Sequence, residues 1–221
     1  MKRIISVFLL MSFCVLHFGM TGYSQNVNTV KLEPKGIFAE IEVQKSNEAV
    51  AILQGKNKKN KEKAIEQILA SPNDYNPTVL YVLSNELFKK GKKDEGAFWF
   101  YVGQLRARID GNICADITAR QAVSILNDEY GMMINKYTIP KIDLLEEIVM
   151  KVLEFVRNNN ENYDRRWINL HGMWVFKYST DDNKDLELSL PEEQWGSIKE
   201  KTINDYYEGF KEALASLKAN N

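Results

Sequence analysis

Apolar residues return every three or four positions in at least five stretches of this chain, and that spacing predicts a mainly helical fold. The clearest stripe follows Pro140, where Leu145, Ile148, Val149, Val152 and Val156 share one helical face until Asn158-Asn159-Asn160 ends it. A last long helix begins near Pro191 and carries Ile203, Tyr206, Tyr207, Phe210, Leu214 and Leu217. Nearer the N-terminus, the lysine-dense run 55–63 leads into a short helix with Ala64, Ile65, Ile68 and Leu69. Ser71 to Pro77 breaks the chain, and a new helix starts just after Pro77 with Leu80, Leu83, Leu87 and Phe88. Lys89-Lys90-Gly91-Lys92-Lys93-Asp94 reads as a stop, a turn and a restart. The helix that follows, to about Ile109, contains Phe98-Trp99-Phe100-Tyr101. Four consecutive aromatics point all the way round a helix, so this one is expected between neighbours. Thr118-Ala119-Arg120-Gln121 has the form of a capping box ahead of Ala122, Val123 and Leu126.

Two regions read as strand. Val27–Leu32 and Ile37–Val43 flank Glu33-Pro34-Lys35-Gly36, and Ile37, Ala39, Ile41 and Val43 alternate with Phe38, Glu40 and Glu42. Proline and glycine at the second and fourth turn positions suit a type I turn, so a small N-terminal β-hairpin is expected. Met173–Tyr178 and Asp185–Leu190, around Thr180-Asp181-Asp182-Asn183, form a second candidate pair in the least regular part of the chain. The expected architecture is an irregular multi-helix bundle.

The hairpin from Pro77 to Arg108 resembles one tetratricopeptide or Sel1-like repeat. Leu80, Leu83, Ser84 and Leu87 match the first helix of that pattern; Gly96, Phe100 and Gly103 match the second. Small residues stand at all three close-contact positions, Ser84, Gly96 and Gly103. The resemblance implies two helices crossing closely there and, more loosely, a protein-binding role.

The front of the chain changes the picture of where this bundle works. Met1-Lys2-Arg3 is basic, Ile4 to Phe18 is an apolar run, and Gly22 and Ser24 are small residues behind it. Those are the three parts of a secretory signal peptide, so residues 1–24 are expected to be removed and 25–221 to form a single mostly helical domain outside the cytoplasm, periplasmic or extracellular. The apolar run is shorter than the roughly 20 residues that span a bilayer, and no later segment approaches that length. Cys14 lies inside the run behind Met11-Ser12-Phe13, which is not a lipid-attachment context. Cleavage removes Lys2 and Arg3 and takes the net charge from −1 to −3.

Candidate chemistry is sparse. Cys114 is the only cysteine and His171 the only histidine after residue 24, so no internal disulfide can form and no conventional zinc spacing exists. Cys114 is read as a buried small hydrophobe or as the half of a bridge to another chain. A Cys114–His171 nucleophilic pair is conceivable only if the fold joins them. The sequence calls for no metal and no cofactor. Lysine runs at 56–63 and 89–93 lack interleaved aromatics in an acidic chain, so they are read as solvated faces rather than a nucleic-acid site.

Tyr163, Asp164, Arg165, Arg166, Trp167 and His171 form the densest group of interaction-capable side chains. One reading is an internal network, with Asp164 paired to an arginine and Trp167 and Leu170 plugging the core. The other is a partner surface, since tyrosine, tryptophan and arginine dominate binding hot spots. The expectation is therefore an exported, non-enzymatic protein-interaction domain of the cell envelope. One specific version is an immunity-type protein that neutralises a delivered toxin. The alternative is an envelope hydrolase using Tyr163–His171 with distant carboxylates, which requires a pocket there.

Overall fold

A computed structural model describes residues 33–179 and 185–219. The elements are α1 (Gln44–Gln54), α2 (Lys58–Ala70), α3 (Pro77–Lys89), α4 (Lys93–Ile113), α5 (Gln121–Thr138), α6 (Ile142–Asn158), α7 (Trp174–Tyr178) and α8 (Trp195–Ala219), joined in part by 3-10 turns. Among the described residues the regular structure is helical, and one isolated bridge, Cys114 to Ser189, is the β pairing.

Helix α4 is the axis of the bundle, packed by α3, α5, α6 and α8. The aromatic quartet explains why a helix takes that position. Phe98 and Trp99 meet Phe155 of α6 edge-on at 5.6 and 5.5 Å. Phe100 meets Tyr81 of α3 at 5.4 Å, and Tyr101 reaches Thr138 of α5 at 3.1 Å. The four rings thus serve three different helices. Edge-to-face pairs of this kind add to simple area burial.

The α3–α4 crossing is close at the small residues. Ser84 Oγ donates to the Gly96 carbonyl at 2.6 Å. A Cβ added at Gly96 would lie 2.9 Å from the Ser84 carbonyl oxygen, and one at Gly103 would lie 3.3 Å from the Leu80 Cβ. The positive φ of Gly91, 82°, lets the chain reverse between the two helices. On α6, all five residues of the expected stripe are buried, and on α8 so are Ile203, Tyr206, Phe210 and Leu214.

Several expectations are corrected. Val27–Leu32 lies outside the described residues. Its proposed partner is not a strand: Gly36–Glu40 is a 3-10 turn in which Phe38, followed by Ile41, points inward. That is a three-residue repeat, and Phe38 has the opposite parity to the alternation. Val175 and Leu188 close over Phe38 and Ile41 as a small second core. Met173–Tyr178 is not a strand either, but contains α7. Asp185–Leu190 instead runs beside the end of α4: Ala115 donates to the Leu188 carbonyl at 3.1 Å, and Leu190 to that of Ile113 at 2.8 Å. The capping box is replaced by Asp116, whose carboxylate caps the Ile117–Arg120 turn through the Thr118 amide. Helix α1, which buries only Ser46, Ala49 and Leu53, carries too faint a stripe to stand out in sequence.

Candidate functional site

The irregular stretches 159–179 and 185–190 lie against the end of α4, and the first is held there by two buried carboxylates. Asp110, four residues after Arg106 on α4, is essentially inaccessible. It accepts from Arg165 Nε at 2.8 Å on one oxygen, and from Trp167 Nε1 at 2.8 Å and Tyr163 Oη at 2.9 Å on the other. Burial pushes the Asp110 carboxyl above its ordinary range, against the pull of Arg165, Trp167 and Tyr163. All three neighbours donate, so the arrangement accommodates the carboxylate form, and that charge raises the Arg165 pKa in turn.

Around this pair lies a wider charge network. Glu161 sits between Arg106 and Arg165, both at 3.7 Å, and Lys199 at 3.3 Å. Arg106 donates to Asn73 at 2.6 Å and lies over the Phe155 ring at 5.2 Å. Asn73 also accepts, through its carbonyl, the Asn162 amide at 2.8 Å. The network ties the α2–α3 connection, α4, α8 and the wrapping segment into one polar joint.

The second anchor is Asp116, also fully buried. One oxygen accepts from the Thr118 amide and hydroxyl at 2.9 and 2.6 Å, and the other from the Trp174 amide at 2.8 Å. Gly172 packs so closely on that carboxylate that any Cβ there would collide with it. Asp116 therefore caps the Ile117–Arg120 turn and seats the start of α7.

The six candidate surface residues divide between these roles. Tyr163, Arg165 and Trp167 turn inward to Asp110, and Trp167 is 1% exposed, so its ring is not offered to a partner. Asp164 takes Arg166 Nη2 at 2.7 Å and the Glu42 amide at 3.0 Å. Burial raises its pKa, but the hydrogen bonds from Arg166 and Glu42 outweigh it and hold the carboxyl below its usual range. Arg166 keeps about a third of its side chain accessible. His171 retains an exposed edge while its ring packs against Trp167 at 5.5 Å, and that desolvation holds its pKa below the ordinary imidazole value. Leu170 is half-buried.

Cys114 and His171 do not form a hydrogen-bonded pair. The thiol donates to Asn169 Oδ1 at 3.1 Å, and burial pushes it up to about 12, so it stays protonated at neutral pH. At 3% exposure it is not presented to a second chain. Among the described residues no group of three histidine, cysteine or carboxylate side chains is placed to hold a metal ion. One concavity, about 540 Å³, is an open groove between α6 and α8 lined by Met150, Leu153, Arg157 and Tyr207. None of the six candidate residues lines it. The lysine runs are partly neutralised across α2 and α3: Lys61 and Lys89 pair with Glu86, and Lys90 with Glu62.

Sequence reasoning missed Arg106, Asp110 and Asp116. Their signal was present in part, as an arginine and an aspartate at i and i+4 on the helix that carries the aromatic quartet. Charges at core positions point to an internal polar joint.

Three large apolar side chains are exposed near Asp116: Ile117 is 69% exposed, Met173 61% and Phe176 60%. The Met173 amide donates to Thr118 Oγ1 at 2.7 Å, next to Ile117 in the chain, and the Phe176 amide donates to the Met173 carbonyl. No helix among the described residues is long and apolar enough to cross a membrane. No protein-family model, no curated protein and no solved structure matches this chain.

Proposed function

We propose that this protein is an exported, non-enzymatic interaction domain of the cell envelope. The partner is a protein or peptide with an apolar face, and the contact surface is the patch of Ile117, Met173 and Phe176. The observation that carries this reading is the exposure of three large apolar side chains on two stretches of chain that the buried Asp116 carboxylate fastens together. Anchoring matters because a preorganised surface loses little conformational freedom on binding. Exposed contiguous apolar side chains on a small domain mark partner sites more often than not.

Tyr163, Arg165 and Trp167 then support the surface from behind, while Arg166 and His171 reach its rim. The export rests on the basic start, apolar run and small residues of positions 1–24. A toxin-neutralising, immunity-type role is one specific form of this reading.

The test is a comparison of captures from envelope extract with the mature protein and with Met173→Asp and Phe176→Asp. A protein held by the parent and lost by both variants, with unchanged circular dichroism, supports the surface. Equal retention by all three removes it.

A further inference from the structure

The outward face of α5 is unlike every other exposed helical face of the molecule. It carries Ile125 at 56% exposure and Met132 at 77%, the most exposed large apolar side chain among the described residues. Asp128 lies one turn before Met132 and Lys136 one turn after it, both exposed. Several exposed helical charges are neutralised within the chain, as Glu147 is by Lys151, Glu208 by Lys211 and Glu146 by Lys218. Among the described residues Asp128 and Lys136 make no such pair, and they flank the exposed Met132 on one face. An acid, a methionine and a base thus stand in line at i−4, i and i+4.

That order is self-complementary under a two-fold axis. When two identical helices pack antiparallel with Met132 against its own copy, each Asp128 falls opposite Lys136 of the second copy. Each residue of the pair lies about 6 Å along the axis from the centre, at a rise of about 1.5 Å per residue. The same register sets Ile125 opposite the half-buried Ile139 of the second copy. The parallel arrangement sets Asp128 against Asp128 and Lys136 against Lys136, so charge selects one orientation. Isologous contacts of this kind are how most homodimers form.

We infer that the exposed face of α5 is a homodimer contact, in which Met132 meets its own copy between two reciprocal Asp128–Lys136 ion pairs. The inference uses a different surface from the Ile117–Met173–Phe176 patch and stands or falls independently of it. A single helix pair buries less than a standard interface, so the dimer belongs to the weak, concentration-dependent class. Methionine suits such a contact, because its flexible, polarisable side chain packs without demanding a fixed shape.

Sedimentation velocity of the mature protein over a concentration series reads the inference directly. The parent is expected to shift from monomer to dimer as concentration rises. Met132→Glu places two like charges at the axis and should abolish the shift. Asp128→Lys alone and Lys136→Asp alone each replace two attractive contacts by two repulsive ones, and each should raise the dissociation constant at least about tenfold. The double variant Asp128→Lys with Lys136→Asp restores both pairs with the signs exchanged, and dimerisation should return to within about threefold of the parent. All four substitutions are at exposed positions, and circular dichroism confirms the fold of each variant. The inference is overturned by a parent that stays monomeric up to about 1 mM, where even a contact worth about 4 kcal/mol is half occupied. It is also overturned by a dimer indifferent to Met132→Glu, or by a double variant as weak as the single ones.

Discussion

The α3–α4 crossing and the wrapping segment 159–179 both close on the same central helix, yet different forces hold them. At the crossing, contact is made by periodic apolar side chains, and the one polar contact of note, Ser84 to the Gly96 carbonyl, fits between backbones. The wrapping segment has little periodicity. It is held by two aspartates: Asp110 gathers Tyr163, Arg165 and Trp167, and Asp116 gathers Thr118 and Trp174. Apolar packing spreads its stabilisation over many small contributions and tolerates the loss of any one. A buried polar joint concentrates it in a few atoms, so removing one partner strands the others.

The largest expected effect follows from that difference. Asp110→Ala leaves the Arg165 charge buried beside Arg106 with Glu161 as the remaining anion. Breaking a buried pair in this way costs about 3–5 kcal/mol, a large share of a domain's stability. Chemical denaturation measures the loss, and hydrogen exchange should place the first opening at residues 161–171 rather than in α3 and α4. Uniform loss of protection across both regions would erase the distinction drawn between them.

Glycine substitutions probe each region at its closest approach. Gly96→Leu should cost about 1–3 kcal/mol through overpacking at the crossing. The repeat pattern predicts that alanine is accepted there. The 2.9 Å approach to the Ser84 carbonyl predicts otherwise, because backbone on both sides must move to admit a Cβ. Gly96→Ala is therefore expected to lower the melting temperature, less than leucine does, despite the gain of about 1 kcal/mol in helix propensity. Gly172→Ala should destabilise comparably by displacing the Asp116 carboxylate from the Trp174 amide. Its φ of −92° is open to any residue, so the effect is purely steric. A melting temperature at or above the parent for Gly172→Ala would mean that Asp116 does not fasten α7.

Acid should weaken both regions, each through its own carboxylate. Burial raises the pKa of Asp164 and of Glu86, but their hydrogen bonds lower it further, from Arg166 and the Glu42 amide for Asp164 and from Lys61 and Lys89 for Glu86. A carboxyl held low in the folded state contributes stability that is complete above its unfolded value of about 4 and fades as pH falls through the lower folded value. Through these two carboxyls melting temperature should fall below about pH 4, after a shallower decline that begins below about pH 6.5, where His171 charges in the unfolded chain before it does in the fold. Asp164→Asn should shallow that fall while leaving the neutral region lower by a small constant. An unchanged acid limb would show that the Asp164–Arg166 pair carries no linkage.

The smallest effect concerns Cys114. A thiol raised to about 12 and buried against Asn169 should react with a disulfide reagent only as fast as the segment opens. Asp110→Ala should accelerate that reaction, which links the mildest measurement to the most severe variant.

How much of this was legible in the sequence depends on which force shaped each part. The stripe of α6 was read residue by residue, because a helix buried on one face must repeat its apolar positions every turn. The aromatic quartet declared a helix surrounded on several sides, and Phe98 to Tyr101 reach α3, α5 and α6. The Ser84, Gly96 and Gly103 spacing anticipated the close crossing. In the Tyr163–His171 cluster, the composition signalled importance but not direction, since tyrosine, tryptophan and arginine serve a buried joint as well as an open surface. The two strand readings failed where alternation was short. Phe38 and Ile41 obey a 3-10 repeat instead, and Asp185–Leu190 pairs across to Cys114.

By itself, the sequence determined the helical period, the breaks at Pro77, Gly91 and Pro140, and the central place of the aromatic helix. All of these follow from local propensity and from which residues avoid water, and both act over a turn or two of chain. Only the tertiary structure decided that Tyr163, Arg165 and Trp167 answer Asp110 and that Trp174 answers Asp116, because those partners lie more than fifty positions away in the chain. It also decided that Ile117, Met173 and Phe176, like Ile125 and Met132 on α5, stay exposed. A residue's exposure depends on what folds over it, and a residue's own identity says nothing about where the rest of the chain will run.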